Sequence, residues 1–278
     1  MKHHGRLSET PSELGLYSGH SEGHERRALI GRATGSVHQE VVIAELAPGG
    51  HVERHLHAFE EAFYVLDGSL ALDIAGSAET LGADDFVFID RGVTHALRND
   101  SSAPVRWFEV CAPQPGAAIQ DTVFVIGDGP AVDAEPPYRR GHFDAAELPP
   151  PSGAILTGFG AANVGGAALR IIVGPDSGST QFNLMVVQYV ADGFITEHDH
   201  AFEEGFYFLT GEIEAELEGE TLMLQTGDYC WSGVGSMHAL TNRATGTVRW
   251  LETQVPQPPS RYQARFVADW ERFLADES

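Results

Sequence analysis

Cysteine is scarce in this chain: two residues in 278, Cys111 and Cys230. Two thiols cannot form a disulfide framework, nor can they build an all-cysteine zinc or iron–sulfur site. Long apolar runs are missing too. No stretch approaches the ~18 consecutive apolar residues that span a bilayer, so no membrane partner is expected. The opening MKHHGRLSETPSELG has neither an apolar core nor a small-residue cleavage site. No signal peptide is therefore expected, and the cytoplasm is the expected compartment. Positive charge is sparse, with 17 Lys and Arg against 40 Asp and Glu and a formal charge of −23. Such a surface repels a phosphate backbone, and no segment has a helix-turn-helix pattern, so nucleic acid is not an expected partner. The acidity reads as a solubility device, and it disfavours a strongly anionic substrate unless the pocket carries its own arginine.

The sequence is rich in repetition. Sliding it by 143 positions lays HLHAFEEAFYVLDG (55–68) on HDHAFEEGFYFLTG (198–211) and GVTHALRN (92–99) on GSMHALTN (235–242). VRWFEV (105–110) falls on VRWLET (248–253), and PQP (113–115) on PQP (256–258). Between Gly50 and Pro115 there are 26 identities in 66 positions without a gap. The two halves are copies of one fold. Within each copy, short segments rich in β-branched and aromatic residues are punctuated by Gly, Pro, Asp and Asn. Examples are EVVIAEL (40–46), AFYVLDGSLALDI (62–74) and DDFVFI (85–90), repeated as FNLMVVQYV (182–190) and GFYFLTGEIEAEL (205–217). This predicts an all-β protein of antiparallel sandwiches or barrels. The expected division is an N-terminal barrel over 1–135, a linker over 136–152 and a C-terminal barrel over 153–278. The linker belongs to the low-complexity stretch 127–153. The tail 261–278 reads as a helix with Phe266, Trp270, Phe273 and Leu274 on one face.

The candidate chemistry lies in the repeated block. Gly49 is followed after five residues by His55, Leu56 and His57, then after three by Glu61 and after six by Gly68; Gly92, His95 and Asn99 come later. The second copy reads Gly193, His198, Asp199, His200, Glu204 and Gly211, then Gly235, His238 and Asn242. Alternate residues of a strand share a face, so His-x-His points two imidazoles into a barrel. Glu61 has the parity that aims it inward, Glu60 the parity that faces out, and His95 closes the set from a later strand. Three neutral imidazoles and a carboxylate suit Fe, Mn, Ni, Cu or Zn as a divalent ion, one per barrel, with positions left for water or substrate. After His142 the only histidines are His198, His200 and His238, and all belong to the set.

These motifs resemble those of the cupin superfamily, and the chain is identified as similar to a bicupin. The resemblance implies two jelly-roll barrels of the double-stranded β-helix type with a short C-terminal helix. It implies His55, His57, Glu61 and His95 as one ligand set and His198, His200, Glu204 and His238 as the other. Departures are Asp90 and Gly233 where the second motif has proline, Asp84 in place of its first glycine, and one residue fewer between Gly193 and His198. A homodimer is expected by resemblance alone.

Tyr64 and Tyr207, Trp107 and Trp250, and Phe59 and Phe202 recur in both copies and read as core packing. Arg106, Arg249, Glu109 and Glu252 read as surface charge. Cys230 is expected in the pocket wall, and His20, His24 and His51 at the surface. The expected function is a metal-dependent enzyme acting on a small organic molecule, of dioxygenase type, with Glu61 and Glu204 able to act as bases. The alternatives are a manganese aminohydrolase similar to the ureidoglycine type and a non-catalytic small-molecule binder.

Overall fold

The computed structural model describes residues 1–13, 17–129, 138–152, 162–259 and 263–267. It is almost wholly β: the longest helix among the described residues is the single turn Ile119–Thr122. Two ten-stranded antiparallel sheets each curl around their own apolar core. Alternation explains the curl. Ser69–Ile74 buries Leu70, Leu72 and Ile74, and Glu212–Leu217 buries Ile213, Ala215 and Leu217, each with more exposed residues between. Every second side chain therefore enters a core, as pleated strands with one buried face require.

One long strand organises each barrel. Glu40–His57 pairs through Glu40–Leu46 with Val105–Ala112, then turns a corner and pairs through His51–His55 with His95–Arg98. Asn183–Asp199 does the same with Val248–Val255 and His238–Thr241. The corner demands a left-handed residue followed by one without a side chain. Gly49 (φ 75°) and Asp192 (φ 59°) take the first role. Gly50 and Gly193 take the second, since a Cβ on either would lie within 2.9 Å of backbone oxygens. The apparent missing residue before His198 is thus no deletion: Gly193 matches Gly50, and Asp192 stands at Gly49. Asp84 (φ 64°) likewise makes the left-handed turn that Gly227 (φ 85°) makes in the second copy, as Asp tolerates that region.

Backbone pairing does not follow the division at 135 and 153. One compact unit holds Thr10–Ala145 with Ile172–Gln181; the other holds Met1–Glu9, Ala146–Ile171 and Phe182–Ser278. Tyr138–His142, read as linker, is a strand on Asp85–Ile89, and Lys2–Arg6 is a strand on Asp228–Ser232. Each caps a strand edge whose unpaired N–H and C=O groups would otherwise stay open. Glu60 does lie on the opposite face from Glu61, but it is fully buried. Its carboxylate accepts hydrogen bonds from Ser179 Oγ (2.8 Å), Thr180 Oγ1 (2.6 Å) and the Thr180 and Gln181 amides. The helix read over 261–278 lies outside the described residues except for 263–267. There Arg265–Phe266 is extended, paired with His198–Asp199 and tied by Arg265 to Asp199. Trp270, Phe273 and Leu274 lie outside.

His24 also departs from expectation. It is 6% exposed, its ring 5.8 Å from Trp107 and 5.6 Å from Tyr17. Burial, helped by the charge of Arg26, pushes its imidazole down to about 4. The unfolded chain takes up that proton near pH 6.5, so stability declines as pH falls from 6.5 and the decline ends near pH 4. Between pH 7 and 4 the native protein is expected to lose about 3 kcal/mol more stability than His24→Leu, measured by urea unfolding of the metal-free proteins at each pH.

Candidate metal centres

In both barrels the histidines arrive as their strand parity requires. His55 faces His95 across one strand pair, and His198 faces His238 across the other. Glu61 and Glu204 come from the neighbouring strands Glu60–Asp67 and Glu203–Thr210. In the second barrel, donor atoms of His198, His200, Glu204 and His238 all lie within 4.8 Å of one another. In the first, His57, Glu61 and His95 meet that condition and His55 stands slightly apart. Its ring centroid is 4.2 Å from that of His95 and 6.2 Å from that of His57.

Each imidazole is oriented by a backbone carbonyl two residues away. Nδ1 of His55, His57 and His95 donates to the carbonyls of Glu53 (2.8 Å), Phe59 (2.6 Å) and Val93 (3.0 Å). His198, His200 and His238 do the same with Thr196 (2.8 Å), Phe202 (2.7 Å) and Ser236 (2.9 Å). A carbonyl only accepts, so Nδ1 holds the proton and Nε2 is left as a lone pair unless the ring is charged. The Phe59 and Phe202 rings stack on His57 and His200 at 4.2 and 4.0 Å, nearly parallel.

The Nε2 atoms then face carboxylates. His57 and His95 lie 3.2 and 3.4 Å from Glu61 Oε2; His200 and His238 lie 2.9 and 3.1 Å from Glu204 Oε2. Nε2 of His95 and of His200 is not in hydrogen-bond geometry there, and Nε2 of His55 has no partner. Two acceptors held this close in a dry interior need a cation between them, either a proton or a metal ion. Electrostatics agree. Burial pushes the Glu61 and Glu204 carboxyls up, but the facing histidines outweigh it and hold both well below the usual carboxylate range. Burial and like-charged neighbours push His55 and His198 well down, which keeps them neutral. Both clusters therefore fit a divalent ion with nitrogen and oxygen ligands.

Two further carboxyls face inward, contrary to the surface reading. Glu109 accepts a hydrogen bond from Trp107 Nε1 (3.0 Å), and Glu252 accepts one from Trp250 Nε1 (2.9 Å). Burial, then the charge of Glu61, pushes Glu109 up to about 8; burial and Glu204 push Glu252 well up. The signal was present in the sequence: Glu109 shares strand parity with Trp107 and Cys111. Arg106 instead pairs with Asp67, and Arg249 bonds Gln188. Opposite Glu61 stands Cys111, its Sγ 3.7 Å from Oε1; opposite Glu204 stands Gln254, its Nε2 2.9 Å from Oε1. Cys230 is buried in the second core and is not in the cavity wall.

The surroundings differ between barrels. In the first, all four residues are fully buried. The Tyr17 ring lies 4.6 Å from His55 and its hydroxyl 3.4 Å from Glu61 Oε1. In the second, the four residues line a small cavity of ≈ 60 Å³. Its walls are mostly apolar, including Met185, Val187, Ile195, Phe206 and Leu240. Across the repeat, His24 and Arg26 of the first barrel become Ala167 and Leu169 of that wall.

Trp250→Phe removes the indole donor and leaves the buried Glu252 carboxyl only the longer bond from Gln254 Nε2 (3.3 Å), and a loss of about 1–3 kcal/mol is expected. Adding Glu252→Leu should restore part of it. Urea unfolding of the two single variants and the double variant checks this.

Comparison with known proteins places these features. The cupin domain profile matches residues 42–111 and 185–253. The tetracenomycin polyketide synthase protein TcmJ of Streptomyces glaucescens is 32% identical over 108 residues, 37% of this chain and 72% of that protein. Polyketide synthase CurC of Streptomyces cyaneus is 30% identical over 105 residues, 36% of this chain and 68% of that protein. Among solved structures, oxalate decarboxylase of Lactobacillus farciminis superposes with a TM-score of 0.67 at 16% identity, covering 98% of this chain and 92% of that one. The putative glyoxylate-induced protein of Pseudomonas aeruginosa gives 0.68 at 17%, covering 92% and 89%. With its duplicated profile match and its two curled sheets around paired histidine–glutamate clusters, the chain belongs to the cupin family as a bicupin.

Proposed function

We propose that this bicupin is a metal-dependent enzyme that transforms a small, largely apolar, oxygen-bearing molecule in its second barrel, by dioxygenase-type oxidation. One observation carries the reading: a complete four-residue cluster opens on an apolar cavity, while its first-barrel counterpart is enclosed by Tyr17. His198, His200, Glu204 and His238 would hold one Fe, Mn, Ni, Cu or Zn ion, and His55, His57, Glu61 and His95 another. Such an ion would supply Lewis acidity or electron exchange with O₂.

The chain supplies the remainder. The carbonyls of Thr196, Phe202 and Ser236 keep three Nε2 lone pairs aimed at one point. Gln254 Nε2 holds Glu204 Oε1 in place beside the cavity, where Glu204 is the candidate base; Glu61 is assigned to holding metal only. Burial and the charge of Glu204 push Glu252 toward its neutral form, which disfavours a second negative charge against a substrate. The apolar walls exclude water and strengthen the electrostatics inside.

The lining contains no lysine or arginine among the described residues, so a small dianion such as oxalate would find no side-chain counter-charge. A ureidoglycine-type substrate, small and polar, suits these walls equally poorly. The two curated relatives are named for polyketide synthesis, and polyketides are apolar frameworks bearing carbonyl and phenolic oxygens. The same likeness favours a second reading of this site, in which a substrate carbonyl is polarised without consumption of O₂.

Metal analysis is expected to find up to two ions per chain, all removed by chelation together with turnover. His238→Ala is expected to lose one ion and all turnover; His95→Ala is expected to lose one ion and keep most of it. An oxygen electrode, with the Fe(II)-loaded protein and catechols, flavonols and β-diketones, checks the chemistry. Product formation without O₂ uptake decides for the second reading. Turnover kept in His238→Ala and lost in His95→Ala overturns the choice of barrel.

A further inference from the structure

Tyr189 lies on Asn183–Asp199, the strand that also carries His198 and His200, just before the corner at Asp192–Gly193. It lines the second-barrel cavity while remaining only 4% exposed. Its ring is held edge-on to Trp250, with centroids 4.8 Å apart at 71°. Trp250 is itself fixed through Glu252, so the phenol has little freedom to turn. Elsewhere in the chain, buried tyrosine hydroxyls find acceptors: Tyr17 reaches Glu61 and Tyr64 reaches Asp84. The Tyr189 hydroxyl makes no hydrogen bond to any described residue. A phenol on a buried ring that lines an apolar cavity, with its hydroxyl uncommitted to any described residue, is a donor available to a bound molecule.

The duplication sharpens the point. The two copies share their ligand residues and the tryptophan–glutamate pair, so these do not distinguish the barrels. The interior positions that differ include Leu46 against Tyr189, Cys111 against Gln254, His24 against Ala167 and Arg26 against Leu169. Two of these put smaller or uncharged side chains in the cavity wall of the second barrel, and a third puts a phenol there. The Gln254 amide is already committed to Glu204 and Glu252.

We infer that Tyr189 donates a hydrogen bond to a substrate oxygen, and so holds a planar molecule with two oxygens between its hydroxyl and the His198–His200–Glu204–His238 cluster. The inference rests on the second barrel being the reaction site. The substrate class is then an apolar ring or enol system with one oxygen toward the cluster and another, phenolic or carbonyl, toward Tyr189. A site built to hydrogen-bond an oxygen discriminates against analogues that lack it.

The test uses the metal-loaded full-length protein and 4-nitrocatechol, followed by its absorption shift. Tyr189→Phe removes only the hydroxyl, and Tyr189→Leu introduces the residue of the first copy. Both variants are expected to keep the native metal content and to bind 4-nitrocatechol about five- to tenfold more weakly. For 4-nitrophenol, which has one hydroxyl, Tyr189→Phe should match the native protein. Equal affinity of native protein and Tyr189→Phe for 4-nitrocatechol overturns the inference and leaves the choice of barrel standing. Weaker binding accompanied by metal loss also overturns it, because the residue would then be supporting the cluster. Absence of 4-nitrocatechol binding by the native, metal-loaded protein overturns the inference and the apolar-cavity reading together.

Discussion

Six imidazoles each give their Nδ1 proton to a backbone carbonyl two residues away, and both centres depend on this. The bond is local, since each donor and acceptor lie on one short stretch of chain, yet its consequence is not. It turns the Nε2 lone pairs inward, and those of His57, His95, His200 and His238 meet a carboxylate that also only accepts. A dry interior cannot leave acceptors facing acceptors, so the geometry asks for a positive charge at its centre. The parity of the strands, the glycine corners and the phenylalanines stacked on His57 and His200 all keep that convergence in place.

Around this common arrangement the two barrels diverge by a handful of interior residues. In the first, Tyr17, His24 and Arg26 fill the space. Arg26 pairs with Glu40 at 2.5 Å, so the barrel closes with its charges matched. In the second, Ala167 and Leu169 leave room and Tyr189 gives it one hydroxyl. A duplicated scaffold can thus keep the same ligand types twice and surround them differently, because ligand geometry is set by strands and access by the side chains that pack beside them.

Much of this was legible from residues alone. The repeat, the β periodicity and the four-residue sets stand out because strand parity is a local property with a period of two. The inward carboxyls Glu109 and Glu252 were equally legible by parity, but they were read by their charge instead. His24 was read as surface for the same reason: its type is usually exposed, whereas its strand position is not. The pairing of the edge strands was not legible. Lys2–Arg6 and Tyr138–His142 carry no mark of which edge they will cover, and Arg265–Phe266 has the local pattern of a helix until Asp199 and the end of the long strand claim it.

By itself the sequence determined that one β fold occurs twice, and which eight side chains share a barrel face, because spacing along a strand dictates direction. Tertiary structure alone decided that Tyr17 stands over one cluster while the other lines a cavity among the described residues, and that Cys111 and Gln254 stand beside the glutamates. It also decided that Tyr189 lines the second cavity with its hydroxyl uncommitted among the described residues. Those outcomes depend on cross-strand register and on the volume left between side chains remote in the chain, quantities that no local pattern encodes.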